Sequence, residues 1–533
     1  MADFRRKRRM AHAISESLAG RRWIVRRFRF AGYCRWAFLA NALAFVLLTP
    51  GAGFAGEHDF VGTTALQIAD VAQPGEPPVT PVPPVIAPPK MVQDWETVTK
   101  KNRSYLLPAV DIFGFEALLN RIDYYYVDKP VYDVSYRTLR RNLSARWIVD
   151  TDPFAMNQFM HPISGAIYYG FARSSGLDYW ESSGYALVGS FLWEVAGETG
   201  PPSINDLFTT GFAGPFLGEP LFRMASLLLE GGEGTPGFWR ELGAAAISPP
   251  LGLNRLAFGD RFSAVFPSRD PAVYTRFQLG ASLSSDVSNQ GVSRTYTKNE
   301  ATADFAMAYG LPGKPDYGYT RPFDYFNFQF TASSVNVFEN VMTRGILIGR
   351  DYAVGGSYRG VWGLYGSYDY IAPQVFRVSS TAFSLGTTAQ WWLSQTVALQ
   401  GSVLAGVGYG AAGVIHNTGE RDYHYGATPQ GLLALRLLFG DVANFDITMR
   451  EYYVSGIAST ENRGREHIFR GDAAFTVRIY GPHAIALKYV KSRRDAHYTD
   501  LTDRHQTIST FSLAYTLLGD NRFGAVEWRP GGR

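Results

Sequence analysis

VYTRFQLGASL, residues 273–283, alternates strictly: Val273, Thr275, Phe277, Leu279, Ala281 and Leu283 share one side of an extended chain, while Arg276, Gln278, Gly280 and Ser282 share the other. ADFAMAYGL (303–311), YFNFQFTA (325–332), VANFDITMRE (442–451) and FSLAYTL (511–517) repeat the pattern. About twelve such segments fill 272–518, most of them ten residues or longer, the length that crosses a bilayer at a tilt rather than that of a soluble strand. An open sheet edge in lipid would leave backbone groups unpaired, so the strands must close on themselves. The expected fold is mostly β: an antiparallel transmembrane β-barrel of about twelve strands, preceded by a compact α-helical unit. The chain ends FGAVEWRPGGR (523–533) rather than on a strand with a terminal aromatic, so either Val526–Trp528 belongs to a last strand followed by a short tail or the insertion signal is unorthodox.

Composition agrees with a surface partly in lipid. Aromatic residues make up 15%, Gly numbers 55, and charged residues are only 18%. The first part of the chain reads as targeting sequence. RRKRR (5–9) and RRWIVRRFR (21–29) precede the apolar WAFLANALAFVLLTPGAGFA (36–55), whose Gly53 and Ala55 suit a cleavage site. Removing 1–55 takes away eleven Lys or Arg and two Asp or Glu, moving the formal net charge from +4 to −5. The basic balance therefore says nothing about nucleic acid, and an exported compartment excludes it as a partner. Cys34 leaves as well, so disulfides, thiolate nucleophiles and cysteine metal ligands are excluded from the mature chain.

The expected organisation is a signal peptide at 1–55, a proline-rich periplasmic linker at 56–104, a helical unit at 105–230, a connector at 231–271 and an outer-membrane barrel at 272–533. QPGEPPVTPVPPVIAPPK (73–90) makes the linker stiff and extended. Membrane lipid and the outer-membrane insertion machinery are the expected partners. The helical unit is expected inside the barrel as a plug, or on its periplasmic side.

Chemistry concentrates in the helical unit. A buried helix over His161–Ser174 carries His161 at its start, before Pro162, and Arg173 near its end. A second helix over 181–198 bears the stripe Leu187, Phe191, Glu194 and Glu198 at helical spacing, aiming two carboxylates where the stripe packs. Gly200 and Pro201-Pro202 stop it. Ser203 then caps a third helix through the backbone N–H of Asp206, and Gly211, Gly214 and Gly218 along that helix admit a close neighbour. His161, Glu194, Glu198 and Asp206 are the candidate catalytic residues and, together, a candidate metal-ligand set. They lack an HExxH spacing that would force them together. A metal-free version uses His161 as base with Ser174 or Ser203 as nucleophile, though neither serine lies in a GxSxG turn. Asn157, Arg173, Ser203, Asn205, Glu219 and Arg223 are the candidates for substrate contact or charge pairing, with Glu219 and Arg223 spaced i, i+4. In a plug, the same groups would pair with wall charges such as Arg344, Asp446 and Arg450. YYY (124–126) and YRTLRRNLSARW (136–147) form an aromatic and basic surface suited to lipid headgroups. No nucleotide-binding motif accompanies a strand-to-helix transition, and the identity of any cofactor stays open.

DPFAMNQFMHPISGAIYYGFARSSGLDYWES (152–182) and SFLWEVAGETGPPSINDLFTTGFAGPFLGEPLFRMAS (190–226) resemble the bacterial family catalogued as domain of unknown function 3943. The resemblance is most specific over about 110–230 and implies an exported envelope protein, with no reaction or cofactor attached. The order of a His helix, a Glu helix, an Asp and a Gly-x-x-x-Gly helix is more distantly similar to VanZ-like membrane proteins. Two roles follow: a structural or passage-controlling barrel, or an envelope hydrolase acting on a lipid or cell-wall ester.

Overall fold

The computed structural model describes residues 103–528, apart from 151, 232–234, 263–264, 290–291, 295–297, 373–375, 414–419, 457–463, 500–501 and 521. The expected signal peptide and nearly all of the expected linker lie outside the described residues.

Strands β1 (Val273–Asn289), β2 (Val292–Arg294), β3 (Lys298–Tyr309), β4 (Phe326–Ser333), β5 (Asn340–Val354), β6 (Tyr358–Ile371) and β7 (Arg377–Trp392) lead into β8 (Val397–Gly413), β9 (His424–Phe439), β10 (Ala443–Val454), β11 (Gly464–Tyr480), β12 (His483–Tyr498) and β13 (Arg504–Leu518). Each pairs antiparallel with its neighbour, and β13 closes on β1 through pairs such as Arg276↔Leu518 and Leu283↔Phe511. The short β2 pairs with the far end of β1 and takes the same place in the wall as β3, so the barrel has the twelve strand positions the alternation predicts.

The two faces are inverted relative to a soluble protein, because the outside must satisfy lipid. Leu487 and Leu513 are 57% and 61% exposed on the outer face. Inside, the walls pair with each other. Asp446 binds Arg276 at 3.0 Å and Arg436 at 2.6 Å, and Arg494 binds Glu466 at 2.6 Å. These pairs neutralise buried charge that would otherwise be costly.

One end of the barrel carries four tight turns, with Gly355, Gly440 and Gly481 at positive φ in three of them, together with the long 310–325 connection between β3 and β4; the connection between β8 and β9 lies at the other end. Short turns mark the periplasmic side of such barrels. The chain tail folds back into this end. The lumen-facing Gln390 exchanges two hydrogen bonds with the Val526 backbone (2.7 and 2.9 Å), and Gln400 donates to Gly524 O at 2.6 Å. Phe523 and Val526 are buried there. Val526–Trp528 thus belongs to a tail tucked against the lumen wall, the last strand having ended at Leu518.

The helical unit comprises α1 (Leu106–Tyr126), α2 (Lys129–Tyr132), α3 (Tyr136–Ser144), α4 (His161–Ser174), α5 (Tyr179–Leu192), α6 (Ile204–Phe208) and α7 (Gly214–Glu230). Three further helices, α8 (Phe238–Ile247), α9 (Pro249–Ala257) and the short α10 (Gly259–Phe262), occupy the expected connector. Helices α4 and α7 cross in backbone contact at Gly165 and Gly214, where a Cβ on Gly214 would meet the Gly165 backbone at 2.5 Å. Asp178 and Glu181 form a capping box that starts α5.

The unit neither plugs the lumen nor sits below the barrel. It packs on the outer face of strands β4–β9. Phe216 lies over Gly366 and edge-on to Phe383, and its carbonyl accepts from Thr343 Oγ1 at 3.2 Å. Phe208 packs on Tyr409, and Tyr368 OH donates to Gln158 O at 2.6 Å. By register, Gly366, Tyr368, Phe383 and Tyr409 share the outward face with the exposed Trp362, Leu385 and Val407. The expected plug pairs are replaced by wall-to-wall ones, since Asp446 is taken by Arg276 and Arg436 and Arg450 reaches Asp472 at 3.6 Å. Glycines and aromatics on the outer wall leave a shallow seat that a leucine-covered strand would not.

Candidate metal centre on the outer wall

Three single-turn π-helices, Met156–Met160, Trp193–Gly197 and Thr209–Ala213, lie at the ends of α4, α5 and α6 that face one another. Such turns shift the side-chain register and recur at functional sites. They deliver Asn157, Glu194 and Thr210, while His161 opens α4 and Asp206 stands in the first turn of α6. Ser203 caps α6 as the sequence predicts, its Oγ accepting from Asp206 N at 3.3 Å.

One ligand atom from each of His161, Glu194 and Asp206 lies within 4.8 Å of the others. His161 Nε2 faces Asp206 Oδ2 at 3.8 Å, and its Nδ1 is hydrogen-bonded to Thr210 Oγ1 at 3.0 Å, which orients the ring. Glu194 Oε2 accepts from Ser203 N at 2.7 Å, and Asp206 Oδ1 from Asn205 Nδ2 at 2.9 Å. A fourth acid, Asp150, borders the set: its Oδ1 accepts from Asn157 Nδ2 at 2.5 Å and Asn205 Nδ2 at 2.9 Å. The two amides also donate to Tyr425 OH, at 3.0 and 2.9 Å, tying the cluster to the outer wall. Sequence reading passed over Asp150, because the bridge between Ile148 and Ser203 that brings it to Asn205 has no local signal. Its position in VDTDP, just before a helix start, was the available hint.

The other candidates separate. Glu198 turns away, accepting from Trp193 Nε1 at 3.1 Å. Arg173, Glu219 and Arg223 form an ion network at the opposite end of α4 and α7. There Glu219 accepts from Arg173 at 2.9 Å, Arg223 at 2.8 Å and Tyr169 OH at 2.6 Å, and Arg223 reaches Asp324 at 3.0 Å. Ser174 Oγ bonds to Phe171 O and Asn254 in that same region, and Ser203 Oγ donates to Asn205 Oδ1. The hydroxyl on His161 is that of Thr210, so neither serine stands as the expected nucleophile.

Among the described residues, no Lys or Arg lies within ion-pair distance of Asp150, Glu194 or Asp206. Burial therefore pushes the Glu194 and Asp206 carboxyls well above the usual carboxylate range, helped by the charges of Glu198 on the first and Asp150 on the second. Burial also lowers the His161 imidazole, to about 4. All three groups are driven toward neutrality, as happens where acids share a dry site without a counter-charge. A divalent cation supplies that counter-charge, and one imidazole nitrogen with two or three carboxylate oxygens suits zinc or manganese. Asn157 Oδ1, fully buried and without a partner among the described residues, leaves one more oxygen unsatisfied beside the set.

A separate buried acid in the unit gives a pH signature. Burial raises Glu116 on α1 to about 8, opposed by a hydrogen bond with Tyr168. Ionising it costs more in the folded protein than in the unfolded chain. Stability should thus fall as pH rises from the ordinary carboxylate range to about 8 and level off above. Glu116→Gln should flatten that fall, read as helical thermal unfolding by circular dichroism at pH 5 and pH 8.5; an unchanged slope contradicts it.

Fold and site together define a transmembrane β-barrel of the outer membrane carrying a helical unit on its outer wall, with an acidic, histidine-bearing cluster inside that unit. Residues 146–250 match the family described as Domain of unknown function (DUF3943), in line with the resemblance of the helical segment. No curated protein matches the chain in sequence. Among solved structures it is similar to the Pseudomonas putida toluene transporter TodX, at 9% identity over 48% of this chain and 91% of that one, with a TM-score of 0.19. It is also similar to an anion-selective porin from Comamonas acidovorans, at 8% identity over 46% of this chain and 99% of that one, TM-score 0.21. The outer-membrane channel DcaP of Acinetobacter baumannii matches at 8% identity over 46% and 96% of the two chains, TM-score 0.21. At such scores these likenesses carry no argument about what this chain does.

Proposed function

We propose that the protein is a metal-assisted hydrolase of the outer membrane, acting on a lipid or cell-wall ester from the lipid side of the barrel. The observation that carries this reading is the convergence of His161, Glu194 and Asp206 within 4.8 Å, with no Lys or Arg within ion-pair distance of the carboxylates among the described residues. A cation held there would polarise an ester carbonyl. Water oxygen bonds to the acyl carbon, the ester C–O bond breaks, and Asp150 takes a water proton and passes it to the departing alkoxide. The passage-controlling role has less support, because wall-to-wall ion pairs cross the lumen and the tail is hydrogen-bonded to the lumen wall at the tight-turn end. The test is fatty-acid release from short-chain phospholipid by the full-length protein in neutral detergent. Release that stops with EDTA, returns with zinc or manganese, and falls at least about 100-fold in Glu194→Gln supports the reading. Absence of metal-dependent release from lipid and cell-wall esters alike overturns it.

A further inference from the structure

Helix α3 and the residues after it carry Arg137, Arg140, Arg141 and Arg146 on an exposed face, and no acid occurs between Val134 and Val149. Arg141 is anchored to Thr199 O and Asn142. Among the described residues, Arg137, Arg140 and Arg146 have no carboxylate partner. On the same helix Tyr136 and Leu143 are also exposed. A soluble surface would intersperse acids among four arginines and would not leave a tyrosine and a leucine bare beside them.

The surroundings say what covers this face. The unit stands on a wall whose neighbouring outward residues meet lipid, and its own α1 and α5 expose Val110, Phe113, Leu118, Val188 and Phe191. Asn142 donates to Val195 O and Glu198 O, so α3 lies on the turn that carries Glu194. The same end of the unit reaches the long connection between β8 and β9, where Phe154 N donates to Glu420 O at 2.8 Å. The arginine face therefore stands at the end of the barrel opposite the tight turns, at the depth where headgroups begin.

We infer that α3 and its flank form a binding surface for anionic, phosphate-bearing lipid headgroups of the leaflet at the end opposite the tight turns. The guanidinium groups meet the phosphates, and Tyr136 and Leu143 rest at the headgroup boundary. This inference stands independently of the metal centre, whose occupancy the test reads separately.

The test titrates full-length protein in neutral detergent with dioleoyl phosphatidylglycerol or phosphatidylcholine and counts bound lipid by native mass spectrometry. The wild type should bind the anionic lipid at least about tenfold more tightly, and Arg137→Gln/Arg140→Gln/Arg146→Gln should lose that preference. The matching triple Lys variant should keep it, and metal content should be unchanged in both. Equal affinity for the two lipids in the wild type, a preference that survives the Gln substitutions, or one lost equally with Lys overturns the inference.

Discussion

Full-length protein extracted in neutral detergent should carry about one zinc or manganese ion per chain, and His161→Ala should carry none. Four observations motivate this. Three ligand types converge, the carboxylates lack a basic partner among the described residues, Thr210 orients the imidazole, and burial disfavours every charge in a cation-free state. Thr210→Val leaves the ligands in place but frees the ring, and should weaken metal affinity about 10- to 100-fold. Because the ion binds only the folded unit, stripping it with EDTA should lower stability by about 3 kcal/mol when the ion is present at 100 times its dissociation constant. Elemental analysis reads the occupancy, and helical thermal unfolding reads the stability. In a cation-free cluster the opposite pattern appears: no metal, and a more stable protein on Asp206→Asn, since that change would remove a buried carboxyl with no counter-charge.

The second large effect is expected far from that centre. Glu219→Ala should destabilise the helical unit by about 3–5 kcal/mol, because it leaves Arg173 and Arg223 buried together without the carboxylate between them. Asp324 still faces Arg223, but among the described residues Arg173 retains no carboxylate, keeping the Leu177 carbonyl and the faces of Phe222 and Phe266. Trypsin should then cut within 105–230, while the barrel still shifts on gels after boiling as compact barrels do. Adding Arg173→Met should recover part of the loss, since a buried pair can be replaced by apolar side chains at little cost when both partners go together. An unchanged melting temperature for Glu219→Ala, or loss of the barrel with the helices, would contradict this division of labour.

Much of the helical detail was legible along the chain, because its signals are local. Pro162 allowed His161 to open α4, Gly200 with Pro201-Pro202 ended the preceding element, and Ser203 capped Asp206. The stripe through Leu187, Phe191 and Glu194 correctly aimed Glu194 inward, but the π turn at Trp193–Gly197 broke the period and swung Glu198 to Trp193. Asp150 was invisible for a related reason, since its place depends on a bridge across 55 residues between Ile148 and Ser203.

The sequence by itself determined the barrel. Lipid demands an apolar side chain at every second position, and a closed sheet is the arrangement of strands that leaves no backbone group unpaired in lipid, so alternation over 272–518 carries both strand count and closure. Only the tertiary structure decided where the helices lie and which acids meet. An outward-facing residue alternates in the same way whether lipid or a helix covers it, so Gly366, Phe383 and Tyr409 read as wall positions like any other until Phe216 and Phe208 are seen resting on them. The convergence of His161, Glu194, Asp206 and Asp150 likewise depends on contacts between elements distant in sequence, which no local spacing encodes.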